Sequence, residues 1–184
     1  MRTTDFHYDL PDKLIASRPL KDRAASRMMV INRKKETISH HHFREFPDLL
    51  PPDHLLVLND TRVIPARVFS NDRKIELVRT DALDPSNWWC LVRPGKKMKP
   101  GRTIKVDSST GTVIETNDKG ERLIRWDNPP DLDKVGQLAL PHYMEREPEK
   151  ADRERYQTVY AKEDGAIAAP TAGLHFTPEL LAGL

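Results

Sequence analysis

The stretch from Val63 to Trp126 constrains the fold most, because short runs rich in β-branched and aromatic residues follow one another there without a helical stretch between them. The runs cover residues 63–69, 75–79, 88–92, 103–106, 112–116 and 122–126, with turn-forming residues between them at 84–86, 94–95, 100–101 and 117–120. That spacing predicts a small antiparallel barrel or sandwich.

A chain of 184 residues can bury one good core, or one core and a small satellite. Fifteen prolines against eight glycines predict rigid turns and short elements, and a hydrophobic fraction of 38% still allows a folded core. Charged residues make up 32% but the formal net charge is only +2, so any nucleic-acid contact must come from local basic clusters. The single cysteine, Cys90, excludes an intrachain disulfide and lies in an apolar run. A buried structural thiol in a reducing, cytoplasmic compartment is the expectation. Residues 1–8 carry no apolar leader, and no run approaches the roughly 20 apolar residues that cross a bilayer, so a soluble, unexported protein without membrane contact is expected.

Outside the β-rich stretch, residues 11–16 read as a helical turn, and 28–31 with 37–41 as a hairpin. Residues 43–50 read as a short helix interrupted by Pro47, 55–58 as a buried strand, and 156–160 as a strand by aromatic and β-branched content. His40, His41 and His42 are consecutive, and neighbours on a strand point to opposite faces, so they do not converge on one ion.

Residues 165–181 combine small side chains, hydroxyls and one histidine ahead of a helix start, since Thr177 can cap free N–H groups and Pro178 fits the first helical position. Ala166, Ala168, Ala169, Ala172 and Gly173 keep bulk low. They suit either a pocket floor or tight packing. Asn59, Asp60, Thr61 and Arg62 end the 55–58 run, where polar residues can meet a substrate or form a turn in which Arg62 pairs Asp60. Arg18, Lys21, Arg23 and Arg27 make one basic stretch. Arg93, Lys96, Lys97 and Lys99 crowd a proline- and glycine-braced loop, which is either solvated or shaped for a phosphate backbone.

Segments 5–10, 16–27, 42–50, 58–67, 93–101, 140–143, 155–161 and 168–181 together resemble, in order, the S-adenosylmethionine:tRNA ribosyltransferase-isomerase family of queuosine biosynthesis. Asn-Asp-Thr-Arg at 59–62 and Ala-Pro-Thr-Ala-Gly-Leu-His-Phe-Thr at 169–177 are the most specific pieces. The resemblance implies an α/β domain in two segments, 1–62 and 134–184, with a small antiparallel β-barrel inserted at 63–133. Family members are roughly twice as long, so the α/β domain is expected to be incomplete here and the chain to match an N-terminal half. The helix opened at Pro178, with room for about two turns before Leu184, fits that expectation.

The implied reaction moves the ribosyl part of S-adenosylmethionine onto 7-aminomethyl-7-deazaguanine at the tRNA wobble position and isomerises it to epoxyqueuosine, releasing adenine and methionine. The partners implied are that tRNA and S-adenosylmethionine as ribosyl donor, with no metal, no permanently bound cofactor, and a monomeric protein. The sulfonium acidifies the neighbouring 5′ C–H, so a base is needed. His175 and Asp60 are the catalytic candidates, with the helix start expected to lower the His175 pKa. Asn59, Thr61, Arg62, Pro170, Thr171, Ala172, Gly173, Phe176 and Thr177 are the substrate-binding candidates, Thr171 and Thr177 for ribose hydroxyls and Arg62 for the methionine carboxylate. Arg18, Arg23, Arg27, Arg93, Lys96, Lys97 and Lys99 are the candidate tRNA contacts. The alternatives are a noncatalytic, truncated RNA-binding relative and an unrelated hydrolase built on His175 and Asp60. No nucleophile motif accompanies the second.

Overall fold

Alternating side chains and regular turns give the β-rich stretch its architecture. The computed structural model describes residues 1–184, apart from the His142 side chain. A hairpin of β1 (Arg27–Asn32) and β2 (Thr37–His42) comes first, in the register Arg27 opposite His42, followed by a 3₁₀ turn at Phe43–Glu45 and α1 (Phe46–Leu49). Pro47 sits in the first turn of α1, where its missing N–H has no helical partner to lose, so it starts the helix and does not interrupt it.

The run at 63–69 divides around Pro65 into β3 (Thr61–Val63) and β4 (Arg67–Phe69). The rest of the β-rich stretch forms β5 (Glu76–Asp84), β6 (Asn87–Arg93), β7 (Thr103–Val106), β8 (Ser109–Thr116) and β9 (Arg122–Trp126). β4 to β9 build one antiparallel sheet in the order β4-β5-β6-β9-β8-β7. The two edge strands approach each other just past β4. There the Asn71 N–H donates to the Lys105 carbonyl at 2.9 Å, and the Asn71 side-chain amide exchanges two bonds with the Asp107 backbone, at 2.7 and 2.9 Å. The sheet thus nearly closes, and the expected barrel is present.

Val68, Leu77, Trp88, Cys90, Met98, Ile104, Val106, Val113, Ile124 and Trp126 fill its interior. Gly111 is where β8 meets that filling: an added Cβ would stand 2.7 Å from Ile124 Cγ2 and 2.9 Å from Trp126 Cζ3. Burial pushes the Cys90 thiol up to about 12, which makes it a packing group, as its apolar surroundings predict.

The chain then runs through α2 (Leu132–Val135), a 3₁₀ turn at His142–Met144 and α3 (Asp152–Arg155) to β10 (Glu163–Ala166), which pairs parallel to β3 with a bulge around Gly165. On the other side of β3 the Gln157 side chain takes the place of a strand: its amide oxygen accepts from Val63 N–H at 2.9 Å and its NH₂ donates to the Val63 carbonyl at 2.7 Å. Val63, Leu138, Tyr156 and Ala169 form a second, smaller core here.

Two expected strands are absent. Residues 55–58 are irregular, with Leu55 89% and Val57 82% exposed, because no strand among the described residues pairs with them. Residues 156–160 turn instead of extending, since Tyr156 enters the second core while Thr158 and Tyr160 press on Gly173.

Candidate functional site

Four arginine side chains join the loop at 17–23 to the segment at 146–157, across 129 to 135 positions of sequence. Arg18 makes a bidentate pair with Glu149 at 2.5 and 2.8 Å. Arg23 donates to the carbonyls of Gln157 at 2.8 Å, Glu154 at 3.0 Å and Leu174 at 3.1 Å. Arg146 Nε reaches the Ser17 carbonyl at 2.7 Å, and Arg155 Nη2 reaches the Leu20 carbonyl at 2.7 Å. Arg146 also forms a fork with the carboxylate of Asp152, at 2.6 and 2.7 Å; Asp152 is buried and Arg146 half-buried. That ion pair and the Glu149 N–H hold the Asp152 carboxyl below the usual carboxylate range.

These bonds enclose a cavity of about 220 Å³. Leu140, Met144, Leu174 and the rings of Tyr143 and Tyr156 supply apolar wall, and Arg18, Arg146, Asp152, Arg155, Thr171 and His175 supply the polar groups. Tyr156 is 4% exposed and its hydroxyl has no hydrogen-bond partner.

His175 ends a 3₁₀ turn, Thr171–His175, and its ring lies 5.2 Å from the ring of Phe43. Phe43 stacks on Phe46, and both meet Phe176 edge-on, so an aromatic cluster fixes the wall behind the imidazole. The His175 pKa is lowered, as the sequence predicts, but the main cause is burial, with Arg155 and Arg23 adding to it and a backbone hydrogen bond at Arg23 opposing. The imidazole is therefore held toward its neutral form, able to accept a proton.

Of the sequence-predicted residues, His175, Thr171 and Arg18 line this cavity. Asp60 does not. It is exposed, and its carbonyl accepts from Lys162 and Glu163 N–H at the start of the β3–β10 pairing, at 2.7 and 3.3 Å. Asn59 Oδ1 caps the Thr61 N–H at 3.0 Å, so the 59–61 turn expected as the bland alternative forms. Arg62 pairs neither Asp60 nor a free site; its Nε donates to Asp164 at 2.6 Å.

Phe176 is buried in the aromatic cluster. Gly173 is small because the Tyr160 hydroxyl and Thr158 Cγ2 occupy the space of a Cβ. Thr177 caps α4 (Pro178–Ala182) by accepting the Leu180 N–H at 3.3 Å. Packing and capping thus account for these three positions. Pro170 precedes the turn and Ala172 lies within it, exposed, and neither lines the cavity. Sequence reading missed Arg146, Asp152, Arg155 and Tyr143, whose only advance signal was the density of charge between 145 and 155.

The basic candidates divide. Arg18 and Arg23 are engaged within the protein, whereas Arg27, Arg93, Lys96, Lys97 and Lys99 are exposed and form no ion pair among the described residues. The lysine loop is held from beneath. Met98 is buried in the barrel core, and Arg122 donates to the carbonyls of Met98 at 3.1 Å, Gly95 at 3.0 Å and Gly120. Three lysine side chains therefore project from a braced backbone.

Residues 3–184 match the family described as queuosine biosynthesis protein. The chain is 42% identical to the S-adenosylmethionine:tRNA ribosyltransferase-isomerase of Solibacter usitatus, an alignment covering 98% of this chain and 59% of that protein. It is 43% identical to the protein of the same name from Thermotoga petrophila, covering 98% of this chain and 55% of that protein. The crystal structure of S-adenosylmethionine tRNA ribosyltransferase from Thermotoga maritima is 34% identical, with 97% of this chain and 52% of that chain covered and a TM-score of 0.40. The chain thus spans a little over half the length of the curated relatives it matches.

Proposed function

Because this chain belongs to the queuosine biosynthesis protein family, we propose that it carries part of the active site of an S-adenosylmethionine:tRNA ribosyltransferase-isomerase. The proposed reaction transfers the ribosyl moiety of S-adenosylmethionine to 7-aminomethyl-7-deazaguanine in the anticodon wobble position and isomerises it to epoxyqueuosine, with loss of adenine and methionine. A tRNA substrate accords with a cytoplasmic location. The same reading takes 1–62 and 134–184 as two segments of an α/β unit and 63–133 as the barrel inserted between them.

The observation that carries the proposal is His175 on the wall of a largely apolar cavity, lowered in pKa by burial and backed by the Phe43 ring. A neutral imidazole there accepts the proton from the 5′ carbon beside the sulfonium, and Thr171 on the same wall hydrogen-bonds a ribose hydroxyl. Asp60 lies outside the cavity lining, so the proton-transfer role rests on His175 alone, with Asp60 anchoring the strand junction through its backbone. For the RNA, Lys96, Lys97, Lys99, Arg27 and Arg93 are the cations available to phosphates. No step of this proposal calls on a metal.

The test is adenine release from S-adenosylmethionine, measured with and without deazaguanine-bearing tRNA. The expected result is tRNA-dependent release that His175→Ala abolishes without unfolding the chain. Near-normal release by that variant removes His175 from the mechanism. Tight tRNA binding with no adenine release at all points instead to a noncatalytic RNA-binding relative.

A further inference from the structure

The charges around the His175 cavity do not cancel. Arg18 is neutralised by Glu149, and Arg146 by Asp152. Arg155 also lines the cavity, is half-buried, and has no carboxylate partner among the described residues. Its Nη2 donates to the Leu20 carbonyl, which fixes the guanidinium while leaving Nε and Nη1 without a hydrogen bond among the described residues. Beside it, Arg23 has a lowered pKa through burial and the proximity of Arg155, which the Glu154 carboxylate only partly offsets, so two like charges are crowded at this edge of the cavity. A half-buried guanidinium left unpaired is costly, and a bound anion relieves that cost.

The cavity limits which anion. At about 220 Å³ it is smaller than the roughly 300–1,000 Å³ of sites that enclose drug-sized ligands, so it takes a fragment of a substrate and not a whole nucleoside with its side chain. One uncompensated positive charge on the wall matches a monoanion. Leu140, Met144 and Leu174 provide a surface for a short alkyl chain, and the rings of Tyr143 and Tyr156 can face a neighbouring cation. An amino-acid arm with a terminal carboxylate has this pattern. A phosphodiester lacks the alkyl chain that Leu140, Met144 and Leu174 suit.

We propose that Arg155 is the carboxylate anchor of this cavity, binding the methionyl carboxylate of S-adenosylmethionine and so setting the sulfonium toward His175. This assignment rests on the reading of the cavity as the S-adenosylmethionine site. It moves the carboxylate role from Arg62, which is paired with Asp164, to a residue 93 positions further along the chain.

Calorimetric titration of this chain with S-adenosylmethionine, with its methionyl carboxamide, and with inorganic phosphate separates the two levels. The wild type is expected to bind S-adenosylmethionine about 10- to 100-fold more tightly than the carboxamide, the range for one charge-assisted contact. Arg155→Ala should lose that discrimination by weakening S-adenosylmethionine alone, and Arg155→Lys should retain part of it. Circular dichroism and thermal melting establish that each variant is folded, and Arg155→Gln replaces the alanine variant if that one is not.

Equal binding of acid and amide by the wild type overturns the anchor while leaving the cavity as the donor site. Equal weakening of both ligands by Arg155→Ala overturns it in favour of a structural role. Phosphate that competes with S-adenosylmethionine in the wild type but not in Arg155→Ala overturns it in favour of a phosphate site. Failure of the wild type to bind either ligand overturns the donor-site reading, and the anchor with it.

Discussion

Ten buried side chains fill the barrel, whereas four fill the layer beneath β3 and β10. The difference is made up by another kind of bond. Around the small core, Arg18, Arg23, Arg146, Arg153 and Arg155 tie distant backbone and carboxylates together, whereas arginine bonds of long reach in the barrel are fewer, the Arg122 clamp and the pairing of Arg67 with Glu147. Apolar packing gives the barrel a shape that needs no ligand. A layer held by arginines keeps open a polar-walled cavity that a well-filled core would close.

The largest effect that separates the two regions is expected at Asp152. Asp152→Ala leaves the half-buried Arg146 unpaired and should approach the about 3–5 kcal/mol lost when a buried pair is broken, read by chemical denaturation, with the loss confined to the arginine-held layer. Asp152 has a folded pKa below its unfolded value, so its stabilisation is complete above the ordinary carboxylate range, about pH 4, and is lost as pH falls through the lowered value. A wild-type protein whose two regions unfold together at every pH contradicts that division. Leu77→Ala, at a fully buried barrel position, should cost about 2–5 kcal/mol and leave S-adenosylmethionine binding unchanged once the chain is folded. Loss of binding in folded Leu77→Ala shows that the barrel shapes the cavity after all.

Smaller effects sharpen the contrast. Thr177→Ala removes the cap of α4 and should cost about 1 kcal/mol by the same denaturation measurement. Replacing Lys96, Lys97 and Lys99 together by Gln should change stability by less than about 0.5 kcal/mol, because none of the three has a side-chain partner among the described residues. The same variant should bind tRNA more weakly and reduce the slope of log affinity against log salt by about 1 per lysine. An unchanged slope makes the loop a solvated turn.

What the sequence made legible follows the same boundary. The strands Thr103–Val106 and Arg122–Trp126 match their expected residues, because alternation and turn residues within a few positions are sufficient where a strand's neighbours are close in sequence. The apolar run at 55–58 failed for the opposite reason: a strand requires a partner, and none among the described residues pairs with it. At the site, His175 and Thr171 were visible through a local motif. Arg155 and the Arg146–Asp152 pair were not, since what distinguishes them is the far side of a fold, such as Leu20, 135 positions away. Phe176 and Gly173 were visible, but a small or aromatic residue near a motif reads the same whether it meets a ligand or a neighbouring side chain, and the packing found here could not be foreseen.

His175 joins both halves of the account, since burial in the arginine-held layer is what sets its protonation. Its folded pKa lies below the unfolded one, so it has no pH-dependent effect on stability above the ordinary imidazole value, about 6.5, and stability falls as pH drops from there toward the lowered value. NMR titration of the His175 imidazole, assigned with His175→Ala, with and without saturating S-adenosylmethionine, is the most direct measurement. A midpoint below about 6.5 is expected, with resonances that move when the donor is added. A midpoint at or above that value, unmoved by S-adenosylmethionine, would contradict it.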